Sequence, residues 1–312
     1  MSSEISVVFS SINLAMSPSA LRSPGWLGEF AAGAHCDGVE YMPMFDMLPG
    51  HTPAAIGRAV AKGELKLNSL HATFREGQNS ADTNKLPGDP GAENPSLKGR
   101  IIGSPLGRLI LPEVCESADV MNQIQLAANR CVPVVLYPQA DAEKDRRQIE
   151  AAHSLRHLFQ PTDHVARLVG AANIVEFDEE TSGVRGYDYV IDTFHLRRRY
   201  GRDEPGVVSD FRTSVPYMAP NTSALHLSLN RTDIPGEPHI PTEAEARKAL
   251  KGVYDGELKE MLDVVKETGF ASFVVIEATS NGIADLTGHK SMGDIQSAYA
   301  DIADGFREYW AA

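Results

Sequence analysis

Four strand-like runs of this chain each end on a side chain that can ligate a metal ion or carry a proton. The apolar run Tyr189–Ile191 is followed by Asp192-Thr-Phe-His195, which brings a carboxylate and an imidazole to the end of one strand. The other three runs end on Glu176, His226 and Glu277. Because the strands of a parallel barrel end at one rim, four such endings in chain order predict a single site.

The strand-end residues Glu176, Asp192, His226 and Glu277 supply three carboxylates and one imidazole. Oxygen-rich sites with one nitrogen donor suit Mn²⁺, Mg²⁺, Co²⁺ or Fe²⁺, and Zn²⁺ also accepts such ligands. The sequence therefore predicts one divalent metal ion as cofactor. Once a metal lowers the pKa of a sugar, a Glu on each face could remove a proton from one side and return it on the other. A single strand-end Glu is usually a salt-bridged surface group, so this prediction depends on the set.

Short β-rich runs alternate with helical ones, which is the pattern of strand-helix units around a parallel sheet. Eight candidate strands, the number that closes a TIM barrel, lie at residues 5–10, 38–42, 67–71, 132–137, 173–178, 188–193, 223–228 and 272–277. Helices are predicted at 18–34, 53–62, 113–130, 143–158, 162–170, 243–268 and 292–310. With 312 residues and 42% hydrophobic content, we expect a single α/β domain, a (β/α)8 TIM barrel over residues 1–312.

Two segments depart from a regular barrel. Residues 74–112 follow the third strand and are rich in Gly, Pro, Asn and Asp, far above the usual loop length. This insertion is either a lid or substrate wall, or a flexible loop of no consequence. Residues 179–187, between the fifth and sixth candidate strands, are too few for a helix. Either the outer helix is missing there or one of the two strands is misassigned.

Composition argues against several classes of function. The net charge of −13 makes nucleic acid an unfavourable partner, because binding to phosphates relies on Lys and Arg. The basic run Arg197–Arg202 is either a solvated loop or a contact for an anionic substrate. Cys36, Cys115 and Cys131 show no CxxC spacing, which predicts reduced, buried thiols. No secretory signal or membrane-spanning run is evident, so we expect a cytoplasmic protein without membrane contact.

The chain resembles the xylose isomerase-like TIM barrels, a superfamily of sugar isomerases and epimerases, inosose dehydratases and apurinic-site endonucleases. The likeness rests on Asp37-Gly-Val-Glu40, on Ile191-Asp-Thr-Phe-His195, on Val275-Ile-Glu277 and on the run from His226 to His239. That last run is similar to the ketose 3-epimerase and hydroxypyruvate isomerase pattern, in which a metal-binding His precedes a polar loop ending in Pro-Gly.

The resemblance implies a divalent-metal-dependent isomerase or epimerase of a small sugar or hydroxycarbonyl compound, often a homo-oligomer. It implies that Glu176, Asp192, His226 and Glu277 ligate the metal and that Glu176 and Glu277 exchange the proton. Further residues are expected to contact the small-molecule substrate: His71, His195, Arg231, His239, Glu40 and Tyr137. Arg231 lies one position nearer to His226 than in the epimerases, and Glu176 lacks the Pro and Asn-Arg that follow this Glu in many of them.

Two other functions stay open. The endonuclease branch of the superfamily uses a larger zinc cluster, to which His71, His195, Glu237 and His239 would contribute. Tyr137, however, stands where the fourth strand should deliver another His, and a neutral phenol is a poor zinc ligand. The third alternative is a barrel that binds a ligand without turnover.

Overall fold

The structure, a computed structural model, describes residues 5–14, 22–43, 50–71, 114–130, 132–136, 168–170, 188–193, 215–216, 222–228, 256–270, 272–277 and 291–312. Eight parallel strands form a closed barrel in chain order, with β8 hydrogen-bonded to β1. The predicted α/β barrel is therefore confirmed.

The bounds of the strands follow the sequence prediction closely, with one exception. The strands are β1 (Ser6–Ser10), β2 (Gly38–Tyr41), β3 (Leu67–His71), β4 (Val134–Leu136), β5 (Leu168–Gly170), β6 (Asp188–Asp192), β7 (Thr222–Ser228) and β8 (Phe273–Glu277). The α-helices are α1 (Pro24–Gly33), α2 (Pro53–Ala61), α3 (Val114–Ala128), α4 (Gly256–Glu267) and α5 (Met292–Ala311), and a short 3-10 helix (Ser11–Leu14) follows β1. None of these described helices is long and apolar enough to cross a membrane.

The exception is the fifth strand, which we predicted at 173–178. It lies at Leu168–Gly170, where Leu168 pairs with Val135 of β4 and Gly170 with Val190 of β6. The helix predicted over 162–170 is therefore wrong for its last three residues. A run of three residues carries no periodicity that could identify it as a strand. Residues 171–187 then separate β5 from β6, which is enough for the crossover that a parallel pair needs.

Other predicted segments lie outside the described residues. These are the insertion at 74–112, the helix at 143–158 and the first part of the helix predicted over 243–268.

Capping side chains explain where three helices begin. The hydroxyl of Ser23 accepts a hydrogen bond from the backbone N–H of Trp26, and Pro24 occupies the first turn of α1. Because of this cap, α1 begins at Pro24 and not at residue 18, where we predicted its start. Thr52 caps α2 in the same way, and Ser291 with Asp294 forms a capping box on α5.

Strand alternation separates an outer apolar layer from a polar interior. Phe9 of β1 packs outward, with its ring centroid 5.3 Å from that of Phe30 and 5.0 Å from that of Tyr299. Its neighbour Ser10 therefore faces the inside of the barrel. Val135, Val190 and Ala224 form a separate buried apolar cluster inside the barrel. Towards the carboxyl ends of the strands, the buried polar side chains of the strands are Ser10, Glu40, Ser69, His71, His226 and Glu277.

Gly57 provides a test of the close contact between α2 and α3. A Cβ at this position would overlap the side chain of Ala127 and lie 2.6 Å from its carbonyl carbon. We expect Gly57→Ala to lower the free energy of unfolding by about 1–3 kcal/mol, since the backbones must move apart. Denaturant unfolding measures this. Gly293→Ala is the matched control, because a Cβ there would lie 3.6 Å from Ser291 Oγ. Equal losses in both variants would contradict the close contact.

Cys36 is a free, buried thiol, as the cysteine pattern predicted. Burial raises its pKa to about 12, although the positive charge of Arg307 acts in the opposite direction. Because only the thiolate reacts readily with iodoacetamide, we expect Cys36 to stay unmodified in the native protein at pH 8 and to react fully in guanidinium chloride. Peptide mapping by mass spectrometry identifies the modified residue. Rapid labelling of Cys36 in the native state would show that this thiol is accessible.

Candidate metal centre

Four buried side chains converge inside the barrel near the carboxyl ends of its strands. Glu40 comes from β2, His71 from β3, His226 from β7 and Glu277 from β8. One possible ligand atom from each lies within 4.8 Å of the other three. Ligands on opposite sides of an ion bound at about 2.1 Å are about 4.2 Å apart. The four atoms therefore have nearly the spacing that one ion requires.

A register shift between β2 and β3 aligns Glu40 with its anchor. Val39 pairs with Leu67, whereas Glu40 pairs with Ser69, so one residue of β3 is passed over. Irregularities of this kind often re-aim side chains at functional sites. Ser69 Oγ donates a 2.8 Å hydrogen bond to Glu40 Oε2. This contact fixes one carboxylate oxygen on the wall of the barrel.

His226 lies between two carboxylates. Its Nε2 is 3.3 Å from Glu40 Oε2, and its Nδ1 is 3.3 Å from Glu277 Oε1. Because β2 and β7 are not neighbours in the barrel, the contact with Glu40 crosses the interior. On the other side, the ring of His71 stacks on that of His226, with centroids 5.4 Å apart and planes inclined by 29°.

Burial and charge act in opposite directions on this cluster. Burial raises the pKa of Glu40, but the charge and hydrogen bond of His226, together with the charge of His71, outweigh burial and hold the pKa below its usual value. Burial likewise lowers the pKa of His226, whereas the charges of Glu40 and Glu277 raise it well above the ordinary value. Two carboxylates thus favour a positive charge between them, and a divalent cation matches them in charge.

One oxygen of Glu40 provides a further test of whether these side chains fit a divalent metal ion. Oε1 is buried and makes no hydrogen bond with any residue that the structure describes. Leaving a buried polar atom unsatisfied costs about 1–3 kcal/mol, and more for a charged group. Coordination to a metal ion would satisfy this oxygen, while Ser69 holds the other one, as outer hydrogen bonds commonly do for ligating carboxylates. The residues present therefore fit a divalent ion.

The backbone places part of the predicted motif beside this cluster. Asp192, the last residue of β6, pairs with His226 of β7. The hydroxyl of Thr193 donates a 3.2 Å hydrogen bond to the carbonyl oxygen of His226. The end of β6 is therefore joined directly to the residue at the centre of the cluster.

Similarity to known proteins is detectable in structure alone. No protein-family model and no curated protein matches the sequence. The solved structure of 3-keto-D-glucoside 4-epimerase from E. coli matches 99% of this chain and 100% of its own, with a TM-score of 0.52 and 8% identity. A xylose isomerase-like TIM barrel/4-hydroxyphenylpyruvate dioxygenase fusion protein matches 94% of this chain and 41% of its own, with a TM-score of 0.52 and 11% identity. The chain therefore shares the TIM-barrel fold of these proteins.

A third similar structure is AP endonuclease, family 2, from Brucella melitensis. It matches 92% of this chain and 100% of its own, with 14% identity and a TM-score of 0.46. That score is too low to support an inference about this chain. At all of these identities, the likeness concerns the fold.

Within this barrel, two of the four predicted metal ligands, His226 and Glu277, lie in the cluster. The side chain of Asp192 and the whole of Glu176 lie outside what the structure describes. The same is true of four predicted substrate contacts, whose roles stay predictions: His195, Arg231, His239 and Tyr137.

Glu40 and His71, which we predicted as substrate contacts, belong to the same cluster as His226 and Glu277. The possible ligand atoms of all four residues lie within 4.8 Å of one another. The rule that identified the other strand-end ligands also applies to them, since His71 is the last residue of β3 and Glu40 the last but one of β2. Ser69 was not singled out from the sequence, because a serine inside a strand carries no distinguishing pattern.

Substituting one carboxylate tests the metal centre directly. Glu40→Gln keeps the shape of the side chain but removes the charge, so we expect the affinity for Mn²⁺ to fall by at least about tenfold. Isothermal titration calorimetry on chelator-treated protein measures this. Glu29→Gln, on the exposed side of α1, is the matched control and should bind as the wild type does. Unchanged affinity in Glu40→Gln would remove Glu40 from the ligand set.

Proposed function

We propose that this protein is a divalent-metal-dependent isomerase or epimerase acting on a small sugar or hydroxycarbonyl compound. The main support is the buried cluster of Glu40, His71, His226 and Glu277. It lies towards the carboxyl ends of the strands, which is where the active sites of TIM-barrel enzymes are built. The similarity in fold to a sugar epimerase is consistent with this proposal.

The proposed metal ion would be held by His226 and Glu277, with Glu40 and His71 within reach and Asp192 at the neighbouring backbone position. When bound, such an ion polarises a carbonyl or hydroxyl oxygen of the substrate and so acidifies the adjacent C–H bond. These ligands also fit the oxygen-rich, imidazole-containing sites typical of Mn²⁺, Co²⁺ and related ions.

Glu277 is the best candidate among the described residues for moving the proton. Its exposed fraction is 8%, whereas Glu40, His71 and His226 are at most 1% exposed. Glu277 is therefore the member of the cluster best able to meet a substrate. The ring of His226, 3.3 Å away, orients its Oε1. The buried surroundings keep water from competing for the proton that the carboxylate holds.

An epimerase also needs an acid on the opposite face of the substrate. Glu176 is our candidate, and this assignment rests on the sequence resemblance. In the proposed reaction, Glu277 and Glu176 remove and return one proton at the carbon next to the carbonyl. The same pair could serve an isomerase that moves the carbonyl to the adjacent carbon.

Glu277→Gln tests the proposed reaction. We expect turnover to fall by about 10²–10⁴-fold, since an amide cannot accept the proton. The assay is NMR in D₂O on a panel of aldoses, ketoses and small hydroxycarbonyl compounds with Mn²⁺, in which proton transfer introduces deuterium at the reacting carbon. Circular dichroism checks that the variant is folded, and Glu29→Gln should keep full activity. Full activity in Glu277→Gln, or no exchange by the wild type on any member of the panel, would overturn the proposal.

A second candidate function is a zinc phosphodiesterase of the apurinic-site endonuclease type. One observation favours it: His71, which that branch would use as a ligand, lies in the cluster. The net charge of −13 opposes it. Elemental analysis separates the two functions, because two or three zinc ions per chain support the endonuclease and one ion supports the isomerase. Failure to retain any metal would instead favour a non-catalytic barrel.

A further inference from the structure

Ser10 lies beside the metal centre but is not one of its four candidate ligands. It is the last residue of β1 and is fully buried. Since Phe9 packs outward against α1 and α5, Ser10 faces the interior. Its backbone pairs with Glu40 of β2 on one side, and the pairing of Phe9 with Ile276 brings it level with Glu277 of β8 on the other. Ser10 therefore lies between the strands that carry the two carboxylates.

The hydroxyl of Ser10 is available for a ligand. Ser10 Oγ and Glu40 Oε1 are both buried, and neither makes a hydrogen bond with any part of the chain that the structure describes. A buried hydroxyl without a partner costs about 1–3 kcal/mol. Here, one such hydroxyl and one such carboxylate oxygen occupy paired positions on adjacent strands. Coordination to an ion would satisfy the carboxylate oxygen, which leaves the hydroxyl of Ser10 for a polar ligand that completes its hydrogen bonding.

The backbone after Ser10 is held firmly on both sides. Ser11 Oγ accepts a 2.8 Å hydrogen bond from the backbone N–H of Met42, which follows β2. Asn13 Nδ2 donates a 2.8 Å hydrogen bond to the carbonyl oxygen of Ile276 in β8. The short 3-10 helix is thus joined to the strands on either side of β1. A hydroxyl held in this way loses little entropy on binding and can discriminate between ligands.

The surrounding charge restricts what the hydroxyl can bind. A divalent ion would balance the two negative charges of Glu40 and Glu277, so no excess positive charge among these groups would draw a carboxylate or phosphate of a ligand to this position. We propose that Ser10 donates a hydrogen bond to an uncharged oxygen, a hydroxyl or carbonyl, of a polyhydroxy compound bound at the metal centre. This inference rests on the proposed function for its substrate class and identifies Ser10 as a residue that determines specificity.

Binding of unreactive polyols tests the role of Ser10 without turnover. The probes are erythritol, xylitol and sorbitol, titrated into Mn²⁺-loaded wild type, Ser10→Ala and Ser10→Cys by calorimetry. We expect Ser10→Ala to bind the best polyol about tenfold more weakly. The thiol of Ser10→Cys is a weak donor of similar size, so the polyol affinity of this variant should lie between those of Ser10→Ala and the wild type. Ser297→Ala, on the exposed side of α5, is the matched control and should equal the wild type.

Three outcomes would overturn the inference. The first is equal polyol affinity in Ser10→Ala and the wild type, and the second is no binding of any of the three polyols. The third is a loss of Mn²⁺ affinity in Ser10→Ala as large as its loss of polyol affinity. The last would place the hydroxyl around the metal rather than the ligand. Failure of the proposed function is distinguishable from all of these. If Ser10→Ala weakens polyol binding but the wild type exchanges no deuterium with any sugar, the reaction is wrong and the role of Ser10 stands.

Discussion

The burial of two carboxylates and two imidazoles inside a closed barrel is the constraint on which the site depends. A buried charge without a partner costs several kcal/mol, even after relaxation and water penetration. Glu40, His226 and Glu277 reduce this cost by lying in a row, with 3.3 Å between each carboxylate oxygen and a ring nitrogen. Removing any one of them would leave the other charges poorly balanced. The same charge pattern makes the place suitable for a cation.

The barrel keeps this cluster apart from the apolar packing that holds the fold together. Outward-facing side chains such as Phe9 and Ile276 belong to the large core beneath the helices, whereas the interior contains the smaller cluster of Val135, Val190 and Ala224. Alternation along each strand produces the two layers, because successive residues face opposite sides. Polar residues towards the carboxyl end can therefore be specialised without disturbing the packing outside. This division is why TIM barrels support so many different chemistries.

Much of the fold could be predicted from the sequence, because most strands are apolar runs followed by a polar strand end or a helix signal. The strand at Leu168–Gly170 could not be, since it is three residues long. Its place depends on hydrogen bonds to both neighbours. For the site, His226 and Glu277 could be identified from their positions near the carboxyl ends of β7 and β8.

The closeness of Glu40 and His71 to His226 depends on contacts across the barrel and on the register shift between β2 and β3. No local pattern in the sequence encodes either. Predicting the site from strand ends therefore works best for neighbouring strands, such as β7 and β8, whose ends follow one another along the rim. It works less well for β2 and β3, whose side chains meet His226 only once the barrel has closed.

The cross-barrel contact also leaves the members of the cluster unequally exposed. Glu40 and His226 lie on strands that do not pair, and their side chains meet across the interior. Both are almost fully buried, whereas Glu277 keeps a small exposed fraction. Among the described members of the cluster, Glu277 on β8 is therefore the one that keeps contact with solvent. Proton transfer through Glu277 and recognition through Ser10 would then take place on adjacent strands, since β8 and β1 pair directly.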